Sequence, residues 1–190
     1  MFPILYWPVL PTQAKPSAEA YARLNAYLRR GGTILFDTRD ADLAGVGAVT
    51  PAGAALQSLA RPLDIPALEE IPEDHVLTRT FYLLREFPGR HATGTLWVEA
   101  APNAERAEGM PFRDLNDNVT PVVIGGGDWA AAWAVDRSGY PLLPVGRGYT
   151  GDRQRELAYR FGINLVMYVL TGNYKSDQVH VPALLDRLGQ

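Results

Sequence analysis

Two carboxylates, a hydroxyl and a guanidinium stand in a row at Asp37-Thr38-Arg39-Asp40. Paired carboxylates can share general acid–base work or hold a hard cation, and a guanidinium offers a planar fork to a carboxylate or phosphate. The same residues can instead satisfy one another, with Arg39 paired to Asp37 or Asp40, or Arg39 can cap a neighbouring helix. Both readings stay open at this point. A second segment, Gly125-Gly126-Gly127-Asp128-Trp129, places a carboxylate behind three glycines. A backbone without side chains lets a ligand approach closely. The Lys and Ser/Thr of a P-loop are absent, so phosphate is not specified.

Other chemistry-bearing residues form weaker patterns. Gly146-Arg147-Gly148-Tyr149-Thr150-Gly151 matches the dinucleotide fingerprint and precedes a helix. Its context fails, because the segment before it, 141–145, carries two prolines and makes a poor central strand. A Gly-rich loop capping a helix is the better reading. His75, His91 and His180 are scattered, with no pair at metal-ligand spacing, and none of the four serines sits in a Gly-x-Ser-x-Gly elbow. Asp114, Asn116, Asp117 and Asn118 resemble half of a calcium loop without its Gly and terminal Glu, which favours a solvated turn. Trp129 and Trp133 are four apart, a spacing commoner in core anchors than in a sugar platform. There is no cysteine. Thiol nucleophiles, disulfides and thiolate metal sites are thereby excluded together.

The elements that must hold these residues follow from the pattern. Residues 4–9 (Ile-Leu-Tyr-Trp-Pro-Val) spell a buried strand. Ser17 is an N-cap with Glu19 in the first turn, and Tyr21, Leu24, Tyr27 and Leu28 share one helical face that stops at Gly31-Gly32. Thr33 to Phe36 is the next strand, so the first forty residues predict strand, helix, strand with a parallel pairing. Thr50-Pro51 opens a short helix with Ala55, Leu56 and Leu59 inward. Residues 61–93 predict irregular chain with short elements, and 95–99 and 121–125 predict two more strands. An exposed excursion at 100–118 separates them. The longest helix is predicted over 153–170, ending at Gly172, and a tail helix over 182–188 is expected to pack back on the body. Leu24, Leu35, Ile124 and Leu165 are expected to be almost fully buried.

Strands alternating with helices predict an α/β fold, three-layer, with a mainly parallel sheet. Ligands of such sheets sit beyond the carboxyl ends of the strands. The candidate ligand-binding residues are therefore Asp37, Thr38, Arg39, Asp40, Asp128 and Trp129, in turns that should border one crevice. The chain of 190 residues is expected to be a single domain over 1–190. A net charge of −3 argues against a nucleic-acid partner. Of 18 basic residues only Lys15 and Lys175 are lysine, a bias that suits a GC-rich genome. At 47% hydrophobic and 21% charged, composition is that of a globular protein, and no apolar run reaches the length of a membrane span.

Several stretches together resemble a bacterial family known as domain of unknown function 4159. They are Leu5-Tyr6-Trp7-Pro8, Gly31 through Asp40, Phe81-Tyr82-Leu83-Leu84 with Phe87-Pro88-Gly89-Arg90, Leu96-Trp97-Val98-Glu99, Asp128 through Trp133, and the long block Arg160 through Lys175. The resemblance implies a fold similar to flavodoxin and to class I glutamine amidotransferases and the ThuA-like group. It also implies a parent protein, similar to BatA-like alphaproteobacterial proteins, whose double-transmembrane N-terminus is anchored in the inner membrane and whose C-terminal part is this soluble domain. In amidotransferases a cysteine stands in the turn after the strand matching 33–36; here it is Asp37-Thr38, so the implied inheritance is of fold and not of catalysis. The expectation is a binding or assembly module of an envelope-associated protein, taking an unknown small ligand or protein partner, with no catalytic residue, cofactor or metal assigned. Two alternatives remain: a metal-assisted hydrolase using Asp37, Asp40 or Asp128, and a carbohydrate-binding module using Trp97, Trp129 or Trp133.

Overall fold

A computed structural model describes residues 2–44, 50–92, 94–100 and 119–172. The excursion at 100–118 beyond residue 100, including the half-calcium-loop residues, and the tail helix at 182–188 lie outside the described residues.

The chain opens with strand β1 (Ile4–Pro8), helix α1 (Ala18–Arg29) and strand β2 (Thr33–Asp37). Ser17 caps α1, its hydroxyl accepting from the Ala20 N–H at 3.2 Å. Short helix α2 (Ala41–Ala44) follows, then α3 (Pro51–Ala60), whose Thr50 cap accepts from the Gly53 N–H and whose proline fills the first turn. Strand β3 (Leu68–Glu70), a 3-10 turn (Val76–Thr78), strands β4 (Trp97–Glu99) and β5 (Val122–Gly125), helix α4 (Trp129–Trp133) and helix α5 (Gly148–Thr171) complete the described part.

The five strands form one sheet in the order β1-β2-β5-β4-β3. β1, β2 and β5 run parallel, with Phe36 in register with Trp7 and Ile124. β4 runs antiparallel to both β5 and β3. The sheet is therefore mixed, its parallel part confined to the three strands that carry the predicted site. Strand alternation divides the core. Leu5, Trp7, Ile34, Phe36, Val122 and Ile124 pack with Tyr21 and Leu28 of α1 and Leu56 and Leu59 of α3. Leu35, Val123 and Val98 pack with Trp129 of α4 and with Phe161, Leu165 and Tyr168 of α5.

Some expectations need correction. The long helix starts at Gly148, five residues before the predicted position, so the last four of the six residues 146–151 are its first turn. The strand expected over 95–99 is only Trp97–Glu99. α2 and α4 were not anticipated. Of the four core positions, Leu35 (1% exposed) and Leu165 (2%) are buried as expected, whereas Leu24 and Ile124 are half-buried. Leu24 fails because it lies beside an open groove on the outer side of α1.

Candidate functional site

Asp37 ends β2 with its side chain wholly buried. Its carboxylate is a junction. Oδ1 accepts from the backbone N–H groups of Arg39 (3.0 Å) and Asp128 (3.1 Å), and Oδ2 from the Trp129 N–H (2.9 Å) and the Tyr6 hydroxyl (2.6 Å). Four donors occupy the lone-pair directions of one carboxylate. Two of them are the free N–H groups at the start of α4, which Asp37 caps from a distant part of the sequence. Burial pushes its carboxyl above the ordinary value, and the four hydrogen bonds pull it back in part. The Tyr6 hydroxyl also receives the Ala130 N–H at 3.4 Å, and burial beside Asp37 raises its pKa, which keeps the proton on the phenol. Asp37 thus joins β1, β2 and α4 and has no lone pair left for a cation or substrate.

The turns after β2 and β5 lie side by side. The Thr38 N–H donates to the Gly125 carbonyl (2.8 Å), and the Ala41 N–H donates to that of Gly126 (3.0 Å). A Cβ on Gly126 would crowd the Ala41 nitrogen, Thr38 Oγ1 and Asp40 Oδ1, so only glycine lets the turns touch. Gly125 and Gly127 serve differently: each would drive a Cβ into the indole of Trp129. The triple glycine is spent on packing. Trp129 itself is 2% exposed, its indole N–H bound to the Phe87 carbonyl at 3.1 Å. It is a core anchor and offers no ligand surface.

A third segment, absent from the sequence-derived site, joins these turns. The His91 N–H donates to the Gly127 carbonyl (3.1 Å), and the Gln154 side-chain amide of α5 donates to the carbonyls of Gly89 (2.9 Å) and Arg90 (3.0 Å). This holds Arg90 beside Asp128, Nη1 to Oδ2 at 3.5 Å. His91 Nε2 lies 3.1 Å from the Arg39 carbonyl, which requires the proton on Nε2, while Nδ1 faces Asp42 Oδ1 at 3.6 Å. The Pro88-Gly89 turn followed by two basic residues was the sequence signal available for this segment. Nothing in the local pattern said that it returns to the ends of β2 and β5.

Polar groups at the centre of this cluster are incompletely used. Thr38 Oγ1 donates to Asp40 Oδ1, but Oδ2 of Asp40, a residue 9% exposed, has no partner. Nε of Arg39 is equally buried and unpartnered, and its Nη2 reaches only the Val9 carbonyl, at 3.5 Å. No ion pair joins Arg39 to an acidic group among the described residues. Arg39 and Asp128 are also the two non-glycine residues with positive φ among those described, at 56° and 54°. Each costs on the order of 1 kcal/mol in backbone strain, and one comes from each turn.

Among the described residues no group of three or more His, Asp or Glu is arranged to hold a metal, and no helix is long and apolar enough to cross a membrane. A family model described as Domain of unknown function (DUF4159) matches residues 1–170. No curated protein matches the chain.

Proposed function

We propose that this chain, which belongs to the DUF4159 family, is a binding module that takes its ligand at the carboxyl ends of β2 and β5. The carrying observation is the pair of adjacent residues with buried, unused polar atoms, the Arg39 Nε–H donor and the Asp40 Oδ2 acceptor. An unpaired buried donor or acceptor costs about 1–3 kcal/mol, and a ligand that satisfies both recovers that loss. The complementary group must accept and donate at once, as a primary amide or a hydroxyl does and a carboxylate does not. Arg90 and His91 stand at the same cluster to orient the rest of the ligand. Because both atoms are covered, the turn 38–40 moves when the ligand enters.

The fold reading that goes with this is the three-layer, flavodoxin-like arrangement of class I amidotransferases, used without their catalysis. It is supported by the division of the core between α1 and α3 on one face of the sheet and α4 and α5 on the other. Asp37-Thr38 stands where that resemblance puts a cysteine. The resemblance to BatA-like proteins supports an envelope-associated parent anchored in the inner membrane. Asp37, whose oxygens are all engaged, drops out of the hydrolase alternative, which then rests on Asp40 and Asp128, and the burial of Trp129 leaves the carbohydrate alternative to Trp97 and Trp133.

The test is a thermal-shift screen with small amides, polyols and carboxylates on the wild type and on Arg39→Ala. Saturable stabilisation by an amide or polyol, lost in the variant, supports the proposal; a ligand at a hundred times its Kd adds about 2.7 kcal/mol. Equal responses of both proteins would refute it.

A further inference from the structure

Among the described residues, strand β1 forms one edge of the sheet. The Thr33 N–H donates to the Pro3 carbonyl and the Val9 N–H donates to the Asp37 carbonyl, so the odd-numbered residues of β1 face β2. Alternation then turns the N–H and C=O of Ile4 and Tyr6, and the C=O of Pro8, toward the open edge. Such a row is a template for another strand, and natural edges are blunted with charge, with proline or by a covering element. β1 carries no charge, and its proline, Pro8, stands only at the last position of the strand. Beside it, a groove of about 620 Å³ runs between β1 and α1. Leu5 and Trp7 line one side, and Ala20, Leu24 and Tyr27, at i, i+4 and i+7, line the other, all half-buried. Phe2, just before the strand, is 79% exposed.

We infer that two copies of this chain pair antiparallel through β1, about a two-fold axis at Leu5, and join their sheets into one. For a second copy, the hydrogen-bonding groups favour this register. With the axis at Leu5, Ile4 of each copy lies opposite Tyr6 of the other, and every edge-facing group of both residues is paired. Pro8, which has no N–H to give, falls opposite the exposed Phe2. An axis at Trp7 would set Pro8 against Tyr6 and halve those bonds, and an axis at Tyr6 would leave the Ile4 carbonyl without a donor. Charge agrees. The groove rim carries both signs, Glu19 and Arg23, so two symmetry-related rims meet without forced like-charge contact. A two-fold axis perpendicular to the sheet keeps both α1 helices on one side, where the two grooves become one enclosed apolar seam. The pairing uses none of the unpartnered atoms in the turn after β2 and stands independently of the proposed ligand site.

Sedimentation velocity at tens of micromolar tests it, with an expected mass of twice 20.9 kDa. Ile4→Pro deletes an N–H that faces the open edge and spares the ladder to β2; it should return the protein to the single-chain mass with its circular dichroism intact. Ile4→Val should stay dimeric. Leu5→Cys supplies an independent readout if the proline variant fails to fold. Directly opposed residues of a non-hydrogen-bonded pair lie about 4.5 Å apart at Cα, within disulfide reach. Because the sequence has no cysteine, oxidised glutathione should then link two chains of Leu5→Cys, and leave Leu43→Cys, at an exposed site on α2, unlinked. A single-chain mass at every concentration, a dimer that persists in Ile4→Pro, or an unlinked Leu5→Cys would each overturn the inference.

Discussion

The Tyr6 hydroxyl donates to Oδ2 of Asp37 across 2.6 Å, from the edge strand to the end of its neighbour. Through the same carboxylate it is tied to the first turn of α4, whose Trp129 N–H shares that oxygen. Side chains on two strands thus fix the point where the turns after β2 and β5 meet. The contact is structural, and it is what allows Arg39 and Asp128 to be held in left-handed backbone beside it.

Removing the hydroxyl should therefore be felt well beyond Tyr6. Tyr6→Phe takes one donor from a buried carboxylate and should cost about 1.5–3 kcal/mol, the range for hydrogen bonds to charged groups. Urea denaturation checks this. An unchanged midpoint would mean that Asp37 does not depend on β1.

The core should respond unevenly. Leu35→Ala and Leu165→Ala empty sites that are 1% and 2% exposed and should each cost about 2–5 kcal/mol. Leu24→Ala and Ile124→Ala, at half-buried positions, should cost less in the same melts. Equal losses at all four would contradict the burial pattern.

Gly151 separates two readings of the glycine-rich segment. In a helix Ala is favoured over Gly by about 1 kcal/mol, but here a Cβ would strike the Val145 carbonyl oxygen and the Gly146 backbone. Gly151→Ala should therefore destabilise. ATP or NAD at millimolar concentration should leave the melting temperature of the wild type where it is, because the glycines serve this packing. A stable alanine variant together with a saturable nucleotide shift would reverse the reading.

His75 should give the stability a pH dependence of known sign. Burial holds its imidazole below the ordinary 6.5, outweighing the nearby carboxylates of Asp74 and Glu69, which raise it, with Arg79 adding to the lowering. Its Nδ1 accepts from the Leu77 N–H at 3.2 Å and must be unprotonated to do so. A depressed folded-state pKa means stability that is complete above the unfolded value and is lost as pH falls through the folded one. Chemical denaturation of the wild type should weaken below about pH 6.5 more steeply than that of His75→Asn, whose side-chain oxygen can still accept the bond. Parallel profiles would contradict this.

Local signals carried much of the fold. Ser17 and Thr50 were recognisable as caps because each bonds within its own turn, and β1, β2 and β5 because apolar runs bounded by turn residues leave little choice. The antiparallel β3–β4 edge was not legible, since three-residue strands hold too few residues to show a period. The start of α5 was missed because Gly148 and Gly151 argue against a helix locally; a positive φ of 54° calls for the first, and packing against Val145 and Gly146 calls for the second. In the candidate site, type and position single out Asp37 and Asp128 in the sequence, but what Asp37 does depends on Tyr6, which lies 31 residues away. Arg90 and His91 belong to the cluster only because Gln154 of α5 and the Gly127 carbonyl hold their loop there. Trp129 was misjudged for a related reason: the glycines that suggested ligand access make room for its own indole.

The ligand site is tested most directly at the Arg39 Nε–H itself, whose nitrogen–proton NMR signal can be assigned by its disappearance in Arg39→Lys. Titrated with acetamide and with glycerol, the wild type should show a saturable shift of that signal together with the backbone amides of Thr38 to Ala41 and Gly126 to Asp128, and acetate should leave them unmoved. An Arg39 Nε–H that ignores amide and polyol alike would contradict the binding module at the ends of β2 and β5.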